Sequence, residues 1–160
     1  MYEEPTARIL RFFKDLYPDG PFKSFYDGDP DVIPEVNYPA LIVEKQGDVT
    51  ESGPTGTDEV TEEILVKVVL DKRDDWGAND NADLTQRRIR QLVEARDDTG
   101  AYLPQSIKGA LRTQLSMEGA AINNTMRFEI GSMPRQNDVI SAEGHLTITV
   151  TYFVAVANRS

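Results

Sequence analysis

Side chains capable of catalysis or of binding a metal ion are few in this sequence. Its 160 residues include one histidine, His145, and no cysteine, which excludes thiolate nucleophiles and cysteine zinc sites. His145 lies on the polar side of a predicted strand, and no sequence neighbour supplies a nucleophile or a fellow ligand. We therefore interpret His145 as a surface or interface residue, and we predict that the protein is not an enzyme and needs no cofactor.

The segment at residues 71–83 is the best candidate for binding a metal ion. Asn79, Asn81 and Asp83 have the alternate spacing with which a calcium loop begins. Such a loop continues with a glycine and ends in a bidentate acid, whereas this chain has Leu84 and Arg90 at those positions. The mismatch favours an acidic turn exposed to water, with Asp83 capping the next helix, and predicts no metal ligand.

Two stretches of opposite charge are candidates for contact with a partner. From residue 46 to residue 63 the chain has six acids and no base, while a predicted helix near residue 90 is rich in arginine. Both could be ordinary solvated surfaces, because surface charges contribute little to stability. They could also bind each other across a subunit interface. The candidate contact residues are Asp58, Glu59, Glu62, Arg87, Arg88 and Arg90.

A third candidate contact is the stretch at residues 18–37, which is rich in proline and aromatic residues. We expect an extended loop here, and a loop of this length is usually functional or mobile. Aromatic side chains indicate that part of the loop packs against another surface. The candidate interface residues are Phe22, Phe25 and Tyr26.

The overall charge restricts the partners of the protein. With 17 basic and 27 acidic residues the formal net charge is −10. This balance argues against nonspecific nucleic-acid binding and against adhesion to an anionic membrane, since both need a basic surface. The N-terminal residues lack the pattern of a secretory signal, and no apolar run approaches the ~20 residues of a membrane span.

Hydrophobic periodicity predicts the elements that carry these residues. Helices are expected at 5–17, at about 83–96 and from about 104 to 119, and strands at 38–44, 60–71, 126–130 and 143–156. Loops are expected at 18–37 and 46–59. Neither an internal repeat nor a linker divides the chain. The predicted class is α+β: a single domain over residues 1–160, whose mostly antiparallel four-stranded sheet has the N-terminal helix and the central helices packed on one face.

This layout resembles the tail terminator proteins of long-tailed bacteriophages, a family of tail completion or head–tail joining proteins at the neck. The resemblance covers most of the chain but includes no diagnostic motif. The stretches that carry it are 38–43, 60–74, the arginine helix from Leu84, 106–111 and 146–156.

The resemblance implies a structural virion protein with no catalytic residues. Members form hexameric rings that cap the head-proximal end of the tail tube. The implied partners are further copies of the chain, the tail tube protein, the neck or connector protein and, in a contractile tail, the sheath. Genomic DNA would pass through the ring without specific binding, and assembly would take place in the host cytoplasm.

Two other functions remain open at this point. The first is a head–tail stopper or another neck component, which would differ in ring symmetry and in its partners. The second is a small acidic metal- or ligand-binding domain that uses residues 71–83. A calcium or magnesium titration followed by thermal melting distinguishes this last function, because a tight site raises the melting temperature.

Overall fold

One five-stranded mixed sheet organises the chain. The structure, a computed structural model, describes residues 2–72, 84–117, 119–135 and 139–156. Its strands are β1 (Ser24–Asp27), β2 (Ala40–Ser52), β3 (Thr57–Asp71), β4 (Ala120–Arg135) and β5 (Val139–Ala155). Its helices are α1 (Pro5–Leu16), α2 (Leu84–Glu94) and α3 (Ile107–Thr113). The strand order is β1-β2-β3-β5-β4, and every pair except β1–β2 is antiparallel.

The helices form where local sequence favours them. Pro5 occupies the first turn of α1, where its missing N–H removes no hydrogen bond. Ile9 and Phe13 of α1, like Ile89 and Val93 of α2, recur at a spacing of four and are buried. The Ser106 Oγ caps α3 by accepting a hydrogen bond of 3.1 Å from the backbone N–H of Gly109. The three predicted helices are thus confirmed, and α3 is shorter than predicted.

The main core lies between the sheet and its three helices. Alternate residues of β3 and β5 point to this side, which we call the helical face, and they are almost completely buried. The opposite side, the open face, is covered at one end by a small cluster of Ile33, Tyr38, Ala40, Ile42 and Val69. The α+β class with helices on one face therefore agrees with the prediction.

The predicted count of four strands was wrong, because residues 24–27 form the additional strand β1. This strand pairs in parallel with the start of β2, from Ser24 opposite Ala40 to Asp27 opposite Val43. The prediction of a loop over 18–37 fails here because a strand of four residues is too short to show periodicity. The outer edge of β2 has no strand partner beyond Val43 among the described residues.

The predicted loop at 46–59 was also wrong. β2 and β3 form a hairpin that remains paired as far as Ser52 opposite Asp58, and the turn occupies only residues 53–56. Gly56 supplies the left-handed conformation that this turn needs, with φ of +80°. The strands continue because the backbone ladder satisfies its own hydrogen bonds, whatever the polarity of the side chains.

The second hairpin is longer than predicted as well. β4 begins at Ala120, so Asn123 and Asn124 lie within a strand and do not end a helix as expected. The pairing with β5 shifts between Ile122 and Met126, which is the signature of a bulge. The predicted helix cap at Asp83 lies outside the described residues.

Candidate functional site

One end of the sheet projects beyond the helices. Segments 46–52, 57–63 and 149–155 form this end, which we call the platform. Phe153 is 57% exposed and Val154 is 43% exposed. Because successive strand residues point to opposite faces, exposure of both residues shows that each face is open to solvent at the tip of the platform.

The platform is acidic, as the sequence predicted. Asp48, Glu51 and Glu63 are exposed, and Asp58 and Glu59 are half-buried. Glu59 lies between Glu51 of β2 and Phe153 of β5 in the strand register. Acidic and apolar side chains therefore alternate along the same exposed surface.

Glu62 has a different role from the one that the sequence predicted. It is 3% exposed, so it is not part of the surface offered to a partner. The Tyr152 hydroxyl donates a hydrogen bond of 2.9 Å to Glu62 Oε1, and Lys45 Nζ lies 3.4 Å from the same oxygen. Lys45 also binds Asp48 at 2.8 Å, which raises the pKa of the lysine and lowers that of Asp48. Burial, together with the Glu62 carboxylate, raises the pKa of Tyr152.

The predicted arginine patch lies on the outer side of α2. Arg87 and Arg90 are exposed, and Arg88 is half-buried. Arg87 and Arg90 line a shallow depression together with Glu94. Glu94 in turn accepts a hydrogen bond of 2.9 Å from Lys108 of α3. The depression therefore has a basic rim, and the acid that lines it, Glu94, is already paired with a lysine of the same chain.

The arginine patch and the platform lie at opposite ends of the sheet. Ile89 of α2 packs directly over Gly144, whereas the exposed Val154 lies ten residues further along β5. At ~3.3 Å per strand residue this separation is about 33 Å. The two charged surfaces therefore do not meet within one chain, although two copies can bring them together.

The three predicted aromatic contacts attach the segment at 18–37 to its own chain. Phe22 is 4% exposed, and its ring centroid lies 5.3 Å from that of Tyr17 and 6.1 Å from that of Phe25. The prediction that Phe22 faces a partner was wrong, because its side chain completes the core. Tyr26 is half-buried, and its hydroxyl accepts a hydrogen bond of 3.2 Å from Asn37. Phe25 and Tyr26 are only half-buried, so the exposed part of each side chain is still predicted to contact a partner.

His145 belongs to a polar cluster on the open face that sequence reasoning missed. Its Nε2 lies 2.9 Å from Glu143 Oε1, and the Ser141 hydroxyl donates a hydrogen bond of 2.5 Å to Glu143 Oε2. The serine thus binds the carboxylate and not the imidazole, so the order of groups differs from that of a hydrolase triad. The alternate spacing of the three residues along β5 was the available signal.

The described residues contain no group of three or more histidine, cysteine, aspartate or glutamate side chains placed to hold a metal ion. Of the candidate segment at 71–83, only Asp71 and Lys72 belong to the described part of the chain. The metal-binding alternative therefore stays a prediction.

Neither protein-family models nor curated proteins provide a relative from which a function could be transferred. No protein-family model matches the chain, and a search of curated proteins finds no match. Within the described ranges, no helix has both the length and the apolar character needed to cross a membrane. The function must therefore be argued from the two surfaces described above.

Proposed function

We propose that this chain is a structural protein of a bacteriophage tail, the terminator that forms a hexameric ring on the head-proximal end of the tail tube. The observation that supports this most is the position of the acidic platform and the arginine patch at opposite ends of one sheet. A closed ring needs a heterologous interface, in which two different surfaces of the same subunit bind each other. The chain carries two such surfaces, and their charges are complementary.

The element order also supports the proposal. An N-terminal helix, a long hairpin, central helices and a closing hairpin follow one another, as in the layout on which the resemblance to tail terminators rests. The net charge of −10 suits a ring through which DNA slides, because an acidic wall repels phosphates. Such a ring would stop tube polymerisation and bind the neck protein through shape and charge.

The mass of the protein in solution, measured by light scattering across concentration, tests ring formation. We expect the mass to rise towards six copies, and negative-stain images of the same sample should show rings with a central hole. A mass of one copy at every concentration leads to a second step, in which the protein is mixed with purified tail tubes that serve as a template. Failure to cap the tube ends then contradicts the proposal.

The same experiment separates the terminator from another neck component. A terminator caps the tube and prevents further addition of tube protein. A head–tail stopper would form a ring but would leave tube growth unchanged. The rate of tube elongation with and without this protein therefore decides between the two positions.

A further inference from the structure

An apolar groove lies in the helical layer between the end of α1, α2 and the segment that leads into α3. Its volume is about 290 Å³, and its apolar lining includes Leu16, Leu92 and Leu103. Leu103 is 39% exposed although it is apolar. The Tyr17 hydroxyl donates a hydrogen bond of 2.6 Å to the carbonyl of Gln105, which holds two walls of the groove together. The groove is thus an organised part of the surface.

The groove is continuous with the arginine patch. Gln91 and Ala95 line both the groove and the depression that contains Arg87 and Arg90. One surface therefore offers an apolar slot with guanidinium groups beside it. A complementary partner has a few exposed apolar side chains with carboxylates next to them.

The platform has this combination of side chains. Val154 and Val156 are 43% and 56% exposed and point to the same face at the tip of the sheet. In the strand register Val154 lies opposite Asp58, so these two side chains share a face, whereas Glu59 lies opposite Phe153 on the other face. Val154 lies ten residues along β5 from Gly144, over which α2 packs, so a second molecule is needed to bring a Val154 side chain to the groove.

We propose that the groove binds the Val154 end of the platform from a second copy of this chain, with Asp58 next to Arg90. The proposal rests on the proposed ring and specifies which surfaces form its subunit contact. The volume of about 290 Å³ is enough to admit apolar side chains of a partner. The charge complementarity on the two surfaces favours a second copy as the occupant.

Cysteine cross-linking tests this contact directly, because the chain has no cysteine of its own. Leu103→Cys in one sample and Val154→Cys in another are mixed and mildly oxidised. We expect a cross-linked dimer that contains one copy of each variant. The matched control combines Leu103→Cys with Met133→Cys, because Met133 is also 43% exposed but lies opposite Ser141, at the far end of β5 from Val154. This mixture should give little cross-linked product.

The outcomes keep the contact and the ring distinguishable. Selective cross-linking through Val154 supports the contact. Rings that form without this cross-link overturn the contact but leave the proposed function intact. Equal yields from the two mixtures overturn the contact. The contact is also overturned if no cross-link forms and the sample shows no self-association. In either case the tube-capping experiment tests the proposed function separately.

A second variant tests the same contact without oxidation. Val154→Ser replaces the two methyl groups of the side chain with one hydroxyl and so removes its apolar contribution. Self-association should therefore become about tenfold weaker. Circular dichroism and thermal melting must first show that the fold is retained. Unchanged association of a folded Val154→Ser protein would contradict the groove contact.

Discussion

Tyr152 and Glu62 show how single residues connect the platform to the rest of the sheet. The Glu62 carboxylate is buried on β3, and the Tyr152 hydroxyl from β5 and Lys45 from β2 both contact its Oε1 oxygen. A buried carboxylate is costly unless it has such partners. The three strands are therefore held together at the level where the helices end.

The variant Tyr152→Phe should lower the free energy of unfolding by about 1–3 kcal/mol, because the buried Glu62 carboxylate loses a hydrogen bond while the ring remains. Urea denaturation monitored by circular dichroism measures the change. The matched control is Tyr102→Phe, since Tyr102 is 41% exposed and its ring contacts Arg96 and Lys108 without the hydroxyl. Equal stability of the two variants would contradict this role of Tyr152.

Tyr17 gives the protein a specific dependence on alkaline pH. Burial raises the pKa of Tyr17 to about 12 from its ordinary value of 10.0. Above pH ~10 the unfolded chain releases this proton while the folded chain retains it, so stability falls as pH rises through the window from 10 to 12. The full effect is roughly 2–3 kcal/mol.

Urea denaturation at several pH values from 8 to 11.5 tests this assignment. The stability of wild-type protein should decline more steeply above pH ~10 than that of Tyr17→Phe, which has no proton to retain. Burial also raises the pKa of Tyr152, so part of the decline should persist in the variant. Parallel curves for the two proteins would show that Tyr17 does not carry the effect.

Sequence reasoning predicted apolar buried residues well and polar buried residues poorly. Ile64, Val66 and Val68 follow the period of a strand and are buried as expected. Lys67 is also buried, at 6% exposure, because its Nζ lies 3.0 Å from both Asp29 and Glu44. Burial acts to lower the pKa of Lys67, but these two carboxylates outweigh it and raise the pKa. Such partners come from distant segments and leave no local pattern.

At the scale of elements, the position of α2 depends on one glycine of β5. A Cβ atom at Gly144 would lie 2.5 Å from Ile89 Cγ2 and 3.0 Å from an edge carbon of Phe128. Both contacts are closer than packed side chains tolerate, so the absence of a side chain at Gly144 lets the helix approach the sheet.

The variant Gly144→Ala should therefore be destabilised by about 1–3 kcal/mol, as expected for an overpacked core. Thermal melting and urea denaturation measure the loss. Gly131→Ala is the matched control, because Gly131 lies in the neighbouring strand β4 and a Cβ there would have no atom within 4 Å. The control should be neutral or slightly stabilised. A neutral Gly144→Ala would mean that α2 does not depend on this close approach.

The sequence predicted the cores of the elements but not their ends. β3 and β5 have buried alternate residues and were placed correctly, apart from their ends. Residues 46–59 were taken for a loop because β2 has no buried residue beyond Val43, so this part of the strand shows no hydrophobic period. β1 was missed because it has only four residues and forms through pairing with a strand that lies later in the chain.

At the scale of the whole molecule, the proposed contact between the acidic platform and the arginine patch predicts self-association that depends on salt. Arg90→Glu should weaken self-association, because it places a carboxylate opposite the acidic platform of the next copy. Light scattering at low and high salt measures the effect. Self-association of the wild-type protein should weaken as the salt concentration rises. Self-association of the Arg90→Glu protein should change less with salt, or should strengthen.

Arg127→Glu is the control for this charge reversal. The Arg127 side chain is 68% exposed and lies on β4, away from both the groove and the platform. It changes the net charge by the same amount as Arg90→Glu and should leave assembly nearly unchanged. Equal effects of the two variants would indicate a response to net charge and would sink the proposed pairing of surfaces.

The outer edge of β2, which has no strand partner beyond Val43 among the described residues, affects how readily the protein aggregates at high concentration. A long, flat edge strand is a template for uncontrolled pairing between chains. Here Lys45, Asp48 and Glu51 place charges along the edge, and the register shifts between Lys45 and Gly47, which bends the strand. Each wrongly paired copy would have to bring like charges together across a bent edge. Charge and curvature on this edge therefore disfavour edge-to-edge pairing, and the purified protein should form no fibrils when it is concentrated.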